Sequence, residues 1–282
     1  MKINHDFHVH TWLSICSGGK GLGGELQGYL ENAKREGIKY LGMSDHFWDS
    51  AVGFEGLYVD SDQAAGVPYF YKTQNFEHIL QLKEEIDATD TGDVTVFFGA
   101  EGEYDPVHRN IAITEEVAEQ LDFLTVPNSH THMMMDKSLV TNNEAHRDFQ
   151  LQALHDILDC PMSRYLYSTA HPFEANAEAV IRLMSDDDLK RVWTKCAEKN
   201  VAFEINTGTY KMISGIAFDY PEKFPEEYAR MITIAKDCGC KFVFGSDAHR
   251  TDRHDGYAEL CDRISDAFGI TENDIAPMPK KK

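Results

Sequence analysis

Seven times along the chain a short apolar run, rich in β-branched and aromatic residues, is followed by a stretch with helical spacing. The runs cover 3–7, 38–43, 94–98, 123–126, 165–170, 201–205 and 241–244. Helices are expected over 25–36, 75–87, 114–120, 143–158, 175–199 in two pieces, 225–237 and 255–267. Gly37 is the stop of the first, Thr114 a cap for the third, and Ser185 or Asp186 a cap inside the 175–199 stretch. Parallel strands need crossover connections, and helices alternating with strands supply them. The expected fold is therefore α/β, a TIM-like (β/α)7 barrel forming a single domain over 1–282.

In such barrels the chemistry sits at the C-terminal ends of the strands. Here those ends carry His8 and His10, His46, Glu101, His130, His171, and Asp247 with His249. His8 and His10 lie two positions apart on an extended segment and so point the same way. After the fourth run, either His130 or His132 can be the group that faces the others. Imidazole suits zinc, iron and manganese, while carboxylates suit hard divalent ions and can bridge two of them. A mixed set of this kind is what hydrolytic metal clusters use: paired ions acidify a bound water and offset charge on phosphate oxygens, so no serine or cysteine nucleophile is required. His5, His78, His146, His155 and His254 fall off the strand-end pattern and read as packing or surface residues.

Charge narrows the partners. With 47 acids against 27 bases the formal net charge is −20, and the only basic run is Lys280-Lys281-Lys282. Such a surface repels a polyanion over a Debye length of about 8 Å, so a nucleic-acid partner is not expected. A small anion entering a metal-lined pocket is compatible with it, because the ions dominate the local field. No stretch approaches the roughly 20 apolar residues of a membrane span, and no basic segment leads into an apolar one at the start. The expectation is a soluble, cytoplasmic protein without a membrane partner. Its six cysteines follow no disulfide framework, and Cys238-Gly239-Cys240 reads as packing ahead of a strand. The segment 47–73 lacks periodicity but concentrates Trp48, Phe54, Tyr58, Tyr69, Phe70 and Tyr71, as either a lid or a plain surface insertion would.

Asp6-Phe7-His8-Val9-His10-Thr11, Ser44-Asp45-His46, Gly99-Ala100-Glu101, His171-Pro172 and Gly245-Ser246-Asp247-Ala248-His249 together resemble the motifs of the polymerase and histidinol phosphatase (PHP) superfamily. They occur in the family's order and span residues 6–249. The resemblance implies a distorted (β/α)7 barrel that holds two or three divalent ions, zinc, manganese or iron, and hydrolyses phosphoesters. By position it implies one ion on His8, His10, Glu101 and Asp247, and a second that shares Glu101 and adds His130 and His171. A third would use His46, His249 and the residue six after the second histidine of the opening motif, often histidine in the family. This chain has Cys16 there, either a thiolate ligand that favours softer metals or a bystander.

Arg250 and Arg109, the latter beside His108, are the cationic groups nearest in sequence to these ligands and are candidates for binding substrate phosphate and stabilising its charge. Surface pairing with the chain's own carboxylates is the alternative for each. Asp6 is a candidate for orienting a ligand histidine, and Asn206 for lining the pocket or capping its strand. The resulting expectation is a phosphatase acting on a small phosphomonoester through metal-bound hydroxide, with histidinol phosphate as one candidate. Hydrolysis of a non-phosphate bond and a non-catalytic metal-binding role are the alternatives.

Overall fold

In the computed structural model, which describes residues 1–57, 67–136, 141–175, 177–208 and 225–282, the seven expected runs lie side by side as parallel strands. In chain order the strands are β1 (His5–Val9), β2 (Tyr40–Met43), β3 (His46–Phe47), β4 (Thr95–Gly102), β5 (Tyr104–Asp105), β6 (Asn110–Ile111), β7 (Phe123–Pro127), β8 (Leu166–Ala170), β9 (Ala202–Asn206) and β10 (Phe242–Gly245). The sheet runs β1-β2-β4-β7-β8-β9-β10, β3 adds to β4, and β5 and β6 form a separate hairpin. The sheet curls until its edges meet: Asp247 N–H donates to the His8 carbonyl at 2.8 Å and His10 N–H to the Ala248 carbonyl at 3.0 Å. The result is the distorted, nearly closed seven-stranded barrel of one domain. No helix among the described residues is long and apolar enough to cross a membrane.

The helices form where the spacing places them. Leu26–Glu36 buries Leu26, Tyr29, Leu30 and Ala33, and Gly37 ends it in a left-handed conformation that a side chain would strain. Asn75 caps Phe76–Ala88 by accepting from His78 N–H, and Ser185, rather than Asp186, caps Asp186–Lys199 in a reciprocal pair with Asp188. Thr114 departs from expectation. Its hydroxyl donates to Asp49 Oδ2 at 2.5 Å, so the helix Glu115–Ala118 has no side-chain cap.

Strand β4 is longer than its apolar run because it is paired on both sides. Glu101 stands opposite His46 of β3 and Thr125 of β7, so the Gly99-Ala100-Glu101 element continues the strand. Inside the barrel a plug is built from Phe7, Phe97, Phe123, Ala202 and Val243, with Tyr40 and Tyr167 against it, one side chain from each barrel strand. Phe7 and Phe123 meet edge to face with centroids 5.2 Å apart. The next inward positions hold small or polar residues, including Gly42, Gly99, Glu204 and Gly245, where the polar chemistry begins. On β1 a register irregularity between Asp6 and Val9 lets the consecutive Phe7 and His8 both face inward, Phe7 into the plug and His8 toward Glu204.

Two outcomes follow. A Cβ added at Gly99 would overlap the Phe123 ring, so Gly99→Ala overpacks the plug and is expected to cost about 1–3 kcal/mol in a denaturant titration. His5 is buried, its Nε2 accepts from Phe244 N–H at 3.1 Å, and burial lowers its pKa to about 4 despite the neighbouring Asp6. The unfolded chain therefore binds a proton at this side chain that the folded chain refuses between roughly pH 6.5 and pH 4, and stability falls as pH drops through that window, by on the order of 3 kcal/mol. His5→Gln keeps an acceptor and should flatten that part of the metal-free protein's stability curve relative to wild type; superimposable curves would contradict the assignment.

Candidate metal centre

Glu101 is fully buried at the end of β4, and its two oxygens face different histidines. Oε1 lies 2.8 Å from His171 Nε2 and 3.8 Å from His130 Nε2. Oε2 lies 2.7 Å from His46 Nδ1, 3.5 Å from His10 Nε2 and 3.6 Å from His8 Nε2. Asp247 Oδ1 stands 3.2 Å from His10 Nε2 and 3.7 Å from His8 Nε2. Among the described residues, four overlapping sets have donor atoms within 4.8 Å of one another: His8, His10 and Glu101; His8, His171 and Asp247; Glu101, His130 and His171; and His10, Cys16, His46 and His249. All nine residues singled out as ligand candidates thus come together. The side chain of His132, the alternative to His130, lies outside the described residues.

The donor set fits divalent cations. His8 Nε2 and His10 Nε2 meet at 3.1 Å, and His46 Nδ1 and Glu101 Oε2, though 2.7 Å apart, are both buried without a hydrogen bond. Lone-pair atoms that crowd together in this way, two of them without any hydrogen bond, are what ligands of a shared ion present. The electrostatics agree. Burial alone would push the Glu101 carboxyl up, but the imidazoles of His46 and His8 and the contact with His171 outweigh it and hold the group well below the carboxylate range. Asp247 behaves likewise: burial is overcome by His8, His10 and His249. His10 moves the other way, lowered well below 6.5 by burial and then by His249 and His46. Burial would raise the Cys16 thiol, yet His249 and His46 bring it down to about 7. Bound cations would replace the protons that these groups share.

Outer partners fix the rings. His8 Nδ1 lies 3.0 Å from each oxygen of Glu204 on β9, which in turn accepts from Asn206 Nδ2 at 2.6 Å. His10 Nδ1 contacts Ser14 Oγ at 3.0 Å, and that hydroxyl donates to buried Asp45 at 2.7 Å. His130 Nδ1 lies 2.6 Å from Glu103, to which the Tyr71 hydroxyl also donates. His171 Nδ1 is 3.0 Å from Ser129 Oγ and 3.0 Å from Glu174, and His249 Nδ1 is 3.0 Å from the Asp247 carbonyl. With one nitrogen engaged in this way, each ring presents the other to the cluster. The backbone is strained at two of the ligands, with positive φ at His171 (24°) and Asp247 (53°).

The remaining candidates are placed differently. Asp6 orients no ligand ring; it accepts from the backbone N–H groups of His8 and Ser246 at 3.0 Å each and pairs with His254 Nε2 at 3.0 Å. Its side chain leaves β1 before the register irregularity, which turns it away from the rings that follow. Arg109 donates twice to Asp156, at 2.9 and 2.7 Å, and His108 Nδ1 lies 2.6 Å from Asp105. None of these bonds reaches the ligand cluster. Arg250 pairs with Asp252 at the surface, a contact that water and salt screen. Asn206 serves the pocket indirectly, by holding Glu204. The described part of 47–73 is anchored: Trp48, Val67 and Tyr71 are core residues, and Phe70 meets His46 edge-on with centroids 5.4 Å apart. Residues 58–66, the centre of the suggested lid, lie outside the described set.

No family model matches the chain. A probable phosphatase of Clostridium acetobutylicum is 24% identical over 252 residues, covering 88% of this chain and 80% of that protein. The structure of histidinol phosphate phosphatase from Lactococcus lactis subsp. lactis, complexed with zinc, L-histidinol and phosphate, superposes with a TM-score of 0.58 at 18% identity, covering 95% of this chain and 94% of that one. The chain shares the fold of that histidinol phosphate phosphatase. The expected distorted barrel is thus the one observed, and the elements that bear the PHP motifs are those that end in the ligand cluster.

Glu204, Glu103, Ser14 and Asp45 escaped the reading of the sequence as site residues. A usable signal was the strand alternation that singled out His8 and His10: Glu103 is two residues beyond Glu101. If Glu204 orients His8, Glu204→Gln should weaken metal retention about 10–100-fold in a chelator competition while leaving the fold intact. Unchanged retention would reduce Glu204 to a packing residue.

Proposed function

We propose that the chain is a metal-dependent phosphatase that hydrolyses a small phosphomonoester, with the ions held by His8, His10, Glu101, His130, His171, Asp247, His46, His249 and Cys16. The observation that carries this reading is the division of Glu101, whose two oxygens face separate histidine sets as a bridging carboxylate requires. The probable phosphatase of Clostridium acetobutylicum and the fold shared with a histidinol phosphate phosphatase support the same chemistry. Divalent zinc, manganese or iron bound there would acidify a shared water and offset charge on the phosphate oxygens. The chain's own residues hold the geometry: Glu204, Ser14, Glu103 and Ser129 keep the imidazoles in place, and the aromatic plug closes the far end of the barrel.

Arg250 is the group we assign to substrate phosphate. It follows His249 directly, and its pairing with Asp252 is exposed and readily exchanged. Arg109 is less suited, since two hydrogen bonds already commit it to Asp156. An acidic protein is compatible with an anionic substrate here because the positive charge is supplied inside the cluster. Histidinol phosphate is a natural first substrate, by analogy with the Lactococcus lactis protein.

Phosphate release from a panel of phosphomonoesters, including histidinol phosphate and nucleotides, tests this with protein loaded separately with zinc, manganese and iron. Release should vanish with chelator and fall in His8→Ala by more than the ~10–100-fold typical of losing an outer partner. Glu101→Ala should lose more than one equivalent of metal, as expected when a shared ligand is removed. Protein that binds metal and releases phosphate from nothing in the panel would defeat the proposal.

A further inference from the structure

We infer that Cys16 is a thiolate ligand in a metal position shared with His10, His46 and His249, and that this position takes zinc in preference to manganese. This rests on the metal-centre reading above and narrows it to the chemistry of one position. Of the four convergent sets it alone contains no carboxylate. Sulfur and imidazole donors without a hard oxygen suit zinc, whereas the sets built on Glu101 and Asp247 also accept harder ions. The centre is thereby divided into unlike positions by a single side chain.

The placement of Cys16 is built, not incidental. It lies in the one-turn helix Ile15–Ser17, whose entry is tied down at three points. Ser14 Oγ donates to Asp45 at 2.7 Å and accepts from His46 N–H at 3.3 Å, and Ile15 N–H donates to Gln74 Oε1 at 2.9 Å. Gly18, at φ 82°, returns its N–H to the Ile15 carbonyl and ends the turn. The same Ser14 hydroxyl contacts His10 Nδ1, so one residue orients both the turn that carries the thiol and a ring that faces it. Two imidazoles of the set have Nδ1 engaged elsewhere, His10 with Ser14 and His249 with the Asp247 carbonyl, while His46 Nδ1 lies 2.7 Å from Glu101. One nitrogen of each of the three rings and the Cys16 sulfur form the four-donor group. Cys16 forms no disulfide, and although its sulfur is partly desolvated among the three rings the residue is solvent-exposed, so a reagent can reach it when no ion covers it.

The test uses the full chain and two readouts that do not depend on turnover. Cobalt(II) added alone to the metal-free protein should give a thiolate-to-metal charge-transfer band in the near ultraviolet. Cys16→Ser should lose that band while cobalt still binds at the carboxylate positions, and Cys16→His should restore occupancy of the position without the band. In the wild type, zinc should protect Cys16 from iodoacetamide, read by peptide mass spectrometry, and manganese should not. Cobalt bound without the band, together with equal alkylation in the presence and absence of zinc, would overturn the thiolate assignment and leave the rest of the centre standing. Failure of any cobalt to bind would overturn the metal-centre reading and this inference with it.

Discussion

A carboxylate buried beyond the reach of water is the constraint that organises this molecule. Glu101 has no exposed surface, and desolvating its charge costs several kcal/mol unless cations compensate. The chain answers with imidazoles from β1, β3, the end of β7 and the end of β8, which surround the two oxygens. That answer is incomplete by protons alone. His10 is pressed toward its neutral form by His249 and His46, so not every ring can carry a charge at once. Divalent ions bound there would remove the conflict, because they would neutralise the carboxylates and turn ring nitrogens from competitors into ligands. Ions bound at this cluster would consequently stabilise the folded state.

The barrel's closure serves the same end. Strands β1 and β10 meet through backbone bonds of the two segments that carry His8 and Asp247. Asp6 reinforces the junction by accepting from the His8 and Ser246 N–H groups at once, and His254 holds its other oxygen. A histidine remote in sequence from the ligands thus helps set the spacing of two of them. The left-handed conformations of Asp247 and His171 are tolerated because neighbouring bonds over-determine them, among them Asp247 N–H to the His8 carbonyl at 2.8 Å. Strain at ligands, supported by a rigid frame, presets the donors before any ion arrives.

Much of this was legible in the sequence because the barrel's logic is periodic. Seven apolar runs alternating with helices specify crossovers, and the residue types at the run ends specify a cluster; both expectations match the architecture. What escaped has physical causes. The inward turn of His8 directly after Phe7 depends on a register irregularity with no signature in residue type. Thr114 looks like a cap, but its hydroxyl finds a better acceptor in Asp49, 65 positions away in sequence. Asp6 is a candidate for steadying a ring because it neighbours one, whereas its partners are backbone groups and His254, 248 positions distant. Spacing along a chain reports local geometry; long-range partners are chosen by packing that no window of sequence contains.

The outer partners show how strand alternation builds a site in two tiers. Glu101 faces the donors and Glu103, two residues on, holds His130; Asn206 holds Glu204, two residues back, and Glu204 holds His8. Residues two apart on extended backbone thus supply groups at different distances from the cluster, one nearer the donors and one that steadies a ring or its partner. Tyr71 extends the second tier into the segment after β3, since its hydroxyl donates to the carboxylate that orients His130. Tyr71 is consequently coupled to the donors: moving it would loosen Glu103, and through it a ring nitrogen 3.8 Å from Glu101. A segment that reads in sequence as either a lid or a surface insertion is anchored, in its described part, to the group that steadies His130.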